Sequence, residues 1–458
     1  MRTKIFAGAA VIVFIATLAS NAQAQCVVTS YNPVLGIPPG YTAEQGFKGR
    51  FDYPAVTTEK TPDFLIKEDF TNDWRSYLNA ALNYAFEGNE DGTEAGVPTA
   101  FRVQANHKRN WYHGLWMDRT DSGREFLHGL TSERASRDNQ LGDGVHGGAP
   151  TWAIGFYNEI GATTFAKVFK DPCQPDLSEV LFPIGTVSFK LLFSGASDAT
   201  IPYLKDSPMW LADIDRKSAT PTSRVGRLHL LQVDIAIRDP RAGKTGWVFG
   251  TYVYSDDVKS TDPWRRLKPV GLMWGNDADK KLGEPVVQSV INTDLHKVTY
   301  GWPGRLEMGW KGRLNGPLDN LISSCQSCHG SAQFPRSATF NNYPSAAVDD
   351  SGYNQRLADY FRDIAPGEVF DPVTHFLGDT TPVHAISMDY SLQIQTGLEH
   401  LCASAKKKEK PFDTLDIPKV CVPSSWTNAP LMTNSADQAT QRKELNEIDW
   451  DALNAPVR

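Results

Sequence analysis

Hydrophobic and polar positions alternate along this 458-residue chain at two different periods. Between Thr71 and Phe86, the residues Trp74, Leu78, Leu82 and Phe86 recur every fourth position. That is the period of one helix face, and Gly88 supplies a stop. Beyond Val97 the period shortens to two. Val187, Phe189, Leu191 and Phe193 alternate with Ser188, Lys190 and Leu192, which predicts a half-buried strand. Leu231, Val233, Ile235 and Ile237 alternate with Gln232, Asp234 and Arg238. The turn formers Asp239-Pro240-Arg241-Ala242-Gly243 then lead into Trp247, Phe249, Thr251 and Val253, an antiparallel hairpin of the kind found in sandwiches and curved sheets. Leu267 to Trp274 predicts a neighbouring strand. Past the turn-rich Gly301-Trp302-Pro303-Gly304 the pattern is helical again. Tyr353 to Phe361 predicts a short helix. Asp389 to about Lys406 predicts a longer one, capped by Ser387 or Asp389, with Tyr390, Ile394, Leu398 and Leu401 as its buried stripe. Lys406, Lys407 and Lys408 fall at its end, where positive charge favours the helix dipole.

This pattern predicts an α+β chain, with a large, mainly β, sandwich-like antiparallel domain over residues 25–300 and a small α-helical domain over 301–424. Residues 425–458 read as a tail and residues 1–24 as an export signal. Arg2 and Lys4 precede an apolar run from Ile5 to Leu18, and Ala22-Gln23-Ala24 has the small residues of a signal-peptidase site. The run falls short of the ~20 apolar residues of a membrane span. Gln25, directly before Cys26, does not suit a lipid anchor. No later stretch is apolar enough to cross a bilayer, so no membrane span is expected once the signal is removed.

Charge narrows the function further. The formal net charge is −7, and removing residues 1–24 takes away two positive charges and no negative one, leaving −9. Such a chain lacks the basic field that nucleic-acid binding needs. The 12 Trp, 15 Tyr and 22 Phe suit packed domains or aromatic-lined pockets equally.

Six cysteines, Cys26, Cys173, Cys325, Cys328, Cys402 and Cys421, carry the chemistry. Two lie in Ser324-Cys325-Gln326-Ser327-Cys328-His329-Gly330, a C-x-x-C-H. In that motif both sulfurs form thioethers with haem vinyl groups and the adjacent His supplies one axial nitrogen to iron. Two intervening residues let both thiols reach one porphyrin edge. A thioredoxin-like redox pair expects a βαβ context that the Gly/Pro/Asn-rich flanks do not offer. A zinc ribbon expects a second C-x-x-C, and there is none. Export agrees with the motif, because c-type haem is attached outside the cytoplasmic membrane. The expected cofactor is one covalent haem c, and the expected location periplasmic.

Residues from about Pro317 to Cys421 resemble a class I c-type cytochrome, with C-x-x-C-H-G near the start and an amphipathic helix near the end. The resemblance covers under a quarter of the chain. It implies Cys325 and Cys328 as attachment sites, His329 as proximal ligand, and a later Met as the other axial ligand. Met388, just before the final helix, holds that place, although no proline neighbours it. His384, His375, His400 and an open iron are the alternatives. The other four cysteines are expected to pair as Cys402–Cys421 and Cys26–Cys173, by proximity and remainder.

The β region offers weaker signals. The segment Asn106 to Arg119 concentrates His107, His113, cations and aromatics, either as a rim facing the haem or as packed loop histidines. Glu125 with Asp118 or Asp143 is a candidate acid/base pair. The expected function is one-electron transfer with a redox partner protein. A haem-dependent oxidoreductase with a substrate pocket in the β domain, and a β-domain binding module tethered to a cytochrome, are the rivals.

Overall fold

The computed structural model describes residues 31, 35–89, 92–94, 97–118, 122–142, 144–216, 224–280, 284–297, 312–319, 323–336, 360–373, 383–409 and 412–422. The signal region, Cys26, Gly301–Gly304, most of the Tyr353–Phe361 helix and the 425–458 tail lie outside them.

A short ribbon, β1 (Gly92–Glu94) and β2 (Val97–Ala100), precedes the main sheet. That sheet has eight strands: β3 (Thr131–Glu133), β4 (Thr151–Tyr157), β5 (Val187–Ser194), β6 (Met209–Asp213), β7 (Val225–Arg238), β8 (Trp247–Tyr254), β9 (Leu267–Met273) and β10 (Ser289–Ile291). They run in the order β10-β9-β8-β7-β5-β4-β3, with β6 beside the start of β7. Every pairing is antiparallel. The predicted hairpin is β7–β8, turning through Pro240–Ala242 and Gly243 at φ 64°. Strand β4 was not legible as alternation, since it is buried along its whole length. A strand with apolar neighbours on both faces shows no period of two.

Two cores explain that burial. On one face lies the helix α1 (Trp74–Phe86), capped by Asp73, whose side chain accepts from the Ser76 N–H. Its Leu78 and Phe86 pack with Phe189, Leu191, Val233, Ile235 and Leu272. The other face presents Trp247, Phe249, Val270 and Met273, which share a cluster with Phe334, Met388, Ile394 and Leu401. The expectation of a sandwich gives way to one sheet between two different coverings. The second core also draws on both sides of the expected 300/301 boundary.

The C-terminal region departs from an all-helical unit. It holds a helical turn α2 (Cys325–Gly330) and the helix α3 (Leu392–Lys406). It also holds a three-stranded antiparallel sheet of β11 (Gln333–Phe334), β12 (Val369–Val373) and β13 (Val383–Ser387), ordered β11-β13-β12. Helix α3 begins later than predicted. Its cap is Ser391, whose side chain accepts from the Ile394 N–H, because Asp389 and Tyr390 sit at φ 45° and 65°, outside helical space. Cys402 and Cys421 form the expected disulfide, with Cα atoms 5.2 Å apart. Cys173 is also disulfide-bonded, and its expected partner Cys26 lies outside the described residues. No described helix is long and apolar enough to cross a membrane.

Candidate metal centre

The C-x-x-C-H stretch is held from three directions. Ser324 caps α2, its hydroxyl accepting from the Ser327 N–H at 3.0 Å. The hydroxyls of Ser324 and Ser327 both donate to Asn276 Oδ1, at 2.8 and 2.9 Å. The Cys325 N–H donates to the Leu314 carbonyl at 2.9 Å, and the Gln326 N–H to Met273 Sδ at 3.4 Å. Asn276 and Met273 belong to the sheet side of the molecule, so the large sheet positions the motif directly.

Neither Cys325 nor Cys328 is in a disulfide, and both are half-buried. His329 is oriented by its own neighbours. Its Nδ1 lies 3.0 Å from the Tyr390 carbonyl oxygen. A carbonyl only accepts, so Nδ1 carries the hydrogen and Nε2 keeps its lone pair. Tyr390 is fixed in turn, since its Oη donates to the Ile364 carbonyl at 2.9 Å and accepts from the Ile364 N–H at 3.1 Å. Phe249 of β8 packs on the imidazole with ring centroids 4.8 Å apart. Burial lowers the His329 pKa and so favours the neutral ring, the form that binds metal. Burial, then the charges of Asp319 and Asp234, push the Cys325 thiol well up.

The surface in front of the motif is polar. Gly155, Lys190, Asp234, Thr251 and Gly271 are register partners across five adjacent strands. Lys190 Nζ lies 3.1 Å from Asp234 Oδ2, and their side chains keep 32% and 21% of their surface exposed. Glu133, at the end of β3, is exposed, yet desolvation dominates its behaviour and raises its pKa. Lys190 and Asp234 form a partly exposed polar patch on the sheet face that carries the motif. Lys190, Asp234 and Asp319 all act electrostatically on Cys325 and His329.

Met388 belongs to the core. It has no exposed surface, its N–H donates to the Ala332 carbonyl at 2.9 Å, and its side chain belongs to the second core. The Tyr390 carbonyl takes the Nδ1 side of His329, which leaves Nε2 as the nitrogen a metal could use. In this structure Met388 is a core residue two positions before the carbonyl that holds Nδ1. Met388→Ala should cost about 2–5 kcal/mol of stability as a core truncation. It should leave the axial-ligand signature of the ferric haem spectrum unchanged, which optical spectra and urea unfolding of one preparation would check.

The other candidates disperse. His384 is exposed on β13, with Nδ1 3.0 Å from the Phe370 carbonyl. His400 Nδ1 sits 2.7 Å from the Trp116 carbonyl, and its Nε2 is 3.8 Å from Asp118 Oδ2. His375 and Asp143 lie outside the described residues. His107 is exposed, whereas His113 is buried among Phe47, Phe51 and Phe156, with Nδ1 accepting from the Arg50 N–H at 3.0 Å. Among the described residues no three His, Cys, Asp or Glu gather as a metal site. The Trp111–Asp118 stretch packs beneath α3, where a Cβ on Gly397 would stand 2.3 Å from the Leu115 carbonyl. Glu125 anchors a loop, accepting from the N–H groups of Leu127, His128, Leu130 and Asp213. It is not paired with Asp118. A cavity of about 730 Å³ does take in Lys108 and Arg109, together with Tyr84 of α1, but on the opposite face of the sheet from the motif.

Two thiols outside disulfides and an oriented imidazole beside a polar patch are donors of the kind one haem c uses. Sequence reading missed Asn276, the Tyr390 carbonyl and the Lys190–Asp234 row. Lys190 and Asp234 were visible only as polar positions of alternating strands, the same signal that any solvated strand face gives. Searches against protein-family models, curated proteins and solved structures find no match for this chain.

Proposed function

We propose that this chain is an exported c-type haem protein that passes single electrons to and from a redox partner protein, with Cys325 and Cys328 as thioether sites and His329 as proximal ligand. The observation that carries this reading is the His329 geometry. Its Nδ1–H is committed to the Tyr390 carbonyl, and such a bond fixes the tautomer and makes Nε2 the better donor to iron. The raised Cys325 pKa keeps the thiol protonated. Addition of that S–H across a vinyl double bond gives a thioether, with no oxidant or reductant required. When bound, haem supplies the Fe(III)/Fe(II) couple, whose potential depends on axial ligands, hydrogen bonding and burial. The Cys402–Cys421 disulfide supports an oxidising compartment and so supports export.

The partly exposed Lys190–Asp234 pair favours a second reading, a haem-dependent oxidoreductase whose substrate would approach from the sheet side. Intact mass, optical and EPR spectra of protein matured with haem test both. One covalent haem per chain is expected. A low-spin ferrous haem that refuses CO supports the carrier, while ready CO binding supports the oxidoreductase. A chain that matures with no covalent haem overturns the proposal.

A further inference from the structure

We propose that a cavity of about 290 Å³ on the α1 side of the main sheet is a binding site for an uncharged aromatic alcohol, a phenol or naphthol, with His128 accepting the hydrogen of its hydroxyl. The cavity lies among residues of the first core, whereas the Cys325–His329 motif sits against the second. The inference therefore stands apart from the haem reading.

The walls are side chains that are braced from behind. Ile154 and Phe156 come from β4, Trp210 from β6, Phe101 from the stretch after β2, and Phe47 from the segment before α1. Phe156 stacks on Phe189 with centroids 4.6 Å apart, and Trp210 on Phe193 at 4.5 Å. Phe101 lies 4.9 Å from Phe86 of α1 and 4.7 Å from Trp264. Phe47 packs on His113 at 5.0 Å and against Gly129, where a Cβ would stand 2.2 Å from its ring. Rings held in this way do not swing inward to close the space. A ligand meets a preformed site, and little has to be ordered for it to bind.

Size and lining define the ligand. An apolar cavity of ~150 Å³ holds one benzene, so about 290 Å³ takes one substituted ring or two fused ones. Water is a poor occupant of an aromatic wall, since a buried water makes about three hydrogen bonds. His128 is the polar group within that wall. Its ring lies flat on Trp210, with centroids 4.3 Å apart and planes 12° from parallel. The Leu211 backbone accepts from one ring nitrogen, which leaves the other as an acceptor. Among the described residues no hydrogen bond ends on that second nitrogen. Burial lowers the His128 pKa and so keeps the imidazole neutral. A neutral ring with a free lone pair selects a hydroxyl and offers nothing to a carboxylate. At the mouth Glu44 and Lys48 stand exposed, one of each sign, so the entrance favours neither anions nor cations.

Calorimetric titration of the purified full-length protein with 2-naphthol, 2-methylnaphthalene and 2-naphthoate tests this. 2-Naphthol should bind once per chain, about five-fold more tightly than 2-methylnaphthalene, the ratio that one neutral hydrogen bond gives. 2-Naphthoate should bind more weakly than either. His128→Phe should keep the binding of both neutral compounds and erase the difference between them. Leu127→Trp, at a half-buried loop position on the cavity wall, should fill the space and abolish binding. Should that variant fail to fold, Gln104→Trp at the exposed mouth, which should weaken both neutral compounds alike, decides in its place. 2-Naphthol that does not bind up to its solubility limit, or that binds these tryptophan variants unchanged, overturns the site. A preference for 2-naphthol that survives in His128→Phe overturns the role of His128.

Discussion

Replacing Cys325 and Cys328 together by alanine should abolish covalent haem, so that denatured, acid-extracted protein shows the polypeptide mass alone. The two sulfurs are the only cysteines of the described residues outside disulfides, and they flank one turn of helix that Ser324, Ser327 and Asn276 hold in place. Each single variant should keep one thioether and release haem more readily. His329→Gly should behave differently. Attachment persists, because both thiols remain, but the proximal nitrogen is lost and the spectrum should turn high-spin. If the double variant still carries haem through a bond that survives denaturation, attachment lies elsewhere in the chain.

Asp389→Ala should lower the stability of the folded protein by about 3–5 kcal/mol, the cost of leaving a buried charge and its donors without their partner. Asp389 is fully buried. Its Oδ1 accepts from Trp247 Nε1 at 2.8 Å and its Oδ2 from the Phe182 N–H at 2.7 Å, with Arg238 Nε 4.0 Å away. Alanine would strand both N–H groups and the buried guanidinium. It would also stand at φ 45°, a left-handed conformation that aspartate and asparagine tolerate better. Asp389→Asn keeps that tolerance and one acceptor, so its cost should be smaller. Urea unfolding of the two variants against wild type measures the difference. The same site bears on the proposed proximal ligand, since Asp389 precedes Tyr390, whose carbonyl orients His329. An Asp389→Ala chain as stable as wild type would show that this contact between sheet and motif carries no weight.

The helix α1, the strands β5, β7, β8 and β9 and the Cys402–Cys421 bridge were readable because each leaves a local signature. A helix face repeats every fourth residue, β5, β7 and β9 keep partly exposed positions among their buried ones, β8, though buried throughout, is announced by the turn formers before it, and two cysteines near each other in sequence are easily brought together. What failed to show was set by contacts distant in sequence. Asp389 and Tyr390 looked like the first turn of a helix because their spacing from Ile394 suits one, yet Trp247, Phe182 and Ile364 hold them in left-handed conformations. Met388 follows the order of a class I cytochrome, and its complete burial in the second core comes from packing that order along the chain does not show.

By itself the sequence determined the chemistry of the motif: two thiols, two residues apart, followed by an imidazole. That geometry is local, spanning five consecutive residues, and covalent spacing alone brings its atoms together. Only the tertiary structure decided which nitrogen of His329 is offered, because the choice depends on the Tyr390 carbonyl, sixty-one positions away. It also decided that the wall beside the motif is the charged row Lys190–Asp234, contributed by strands that pair more than ninety residues before the cysteines. Electrostatic and hydrogen-bonding neighbours act through space over a few ångströms, and the sheet register that brings them within that range is written in long-range packing, not in local periodicity.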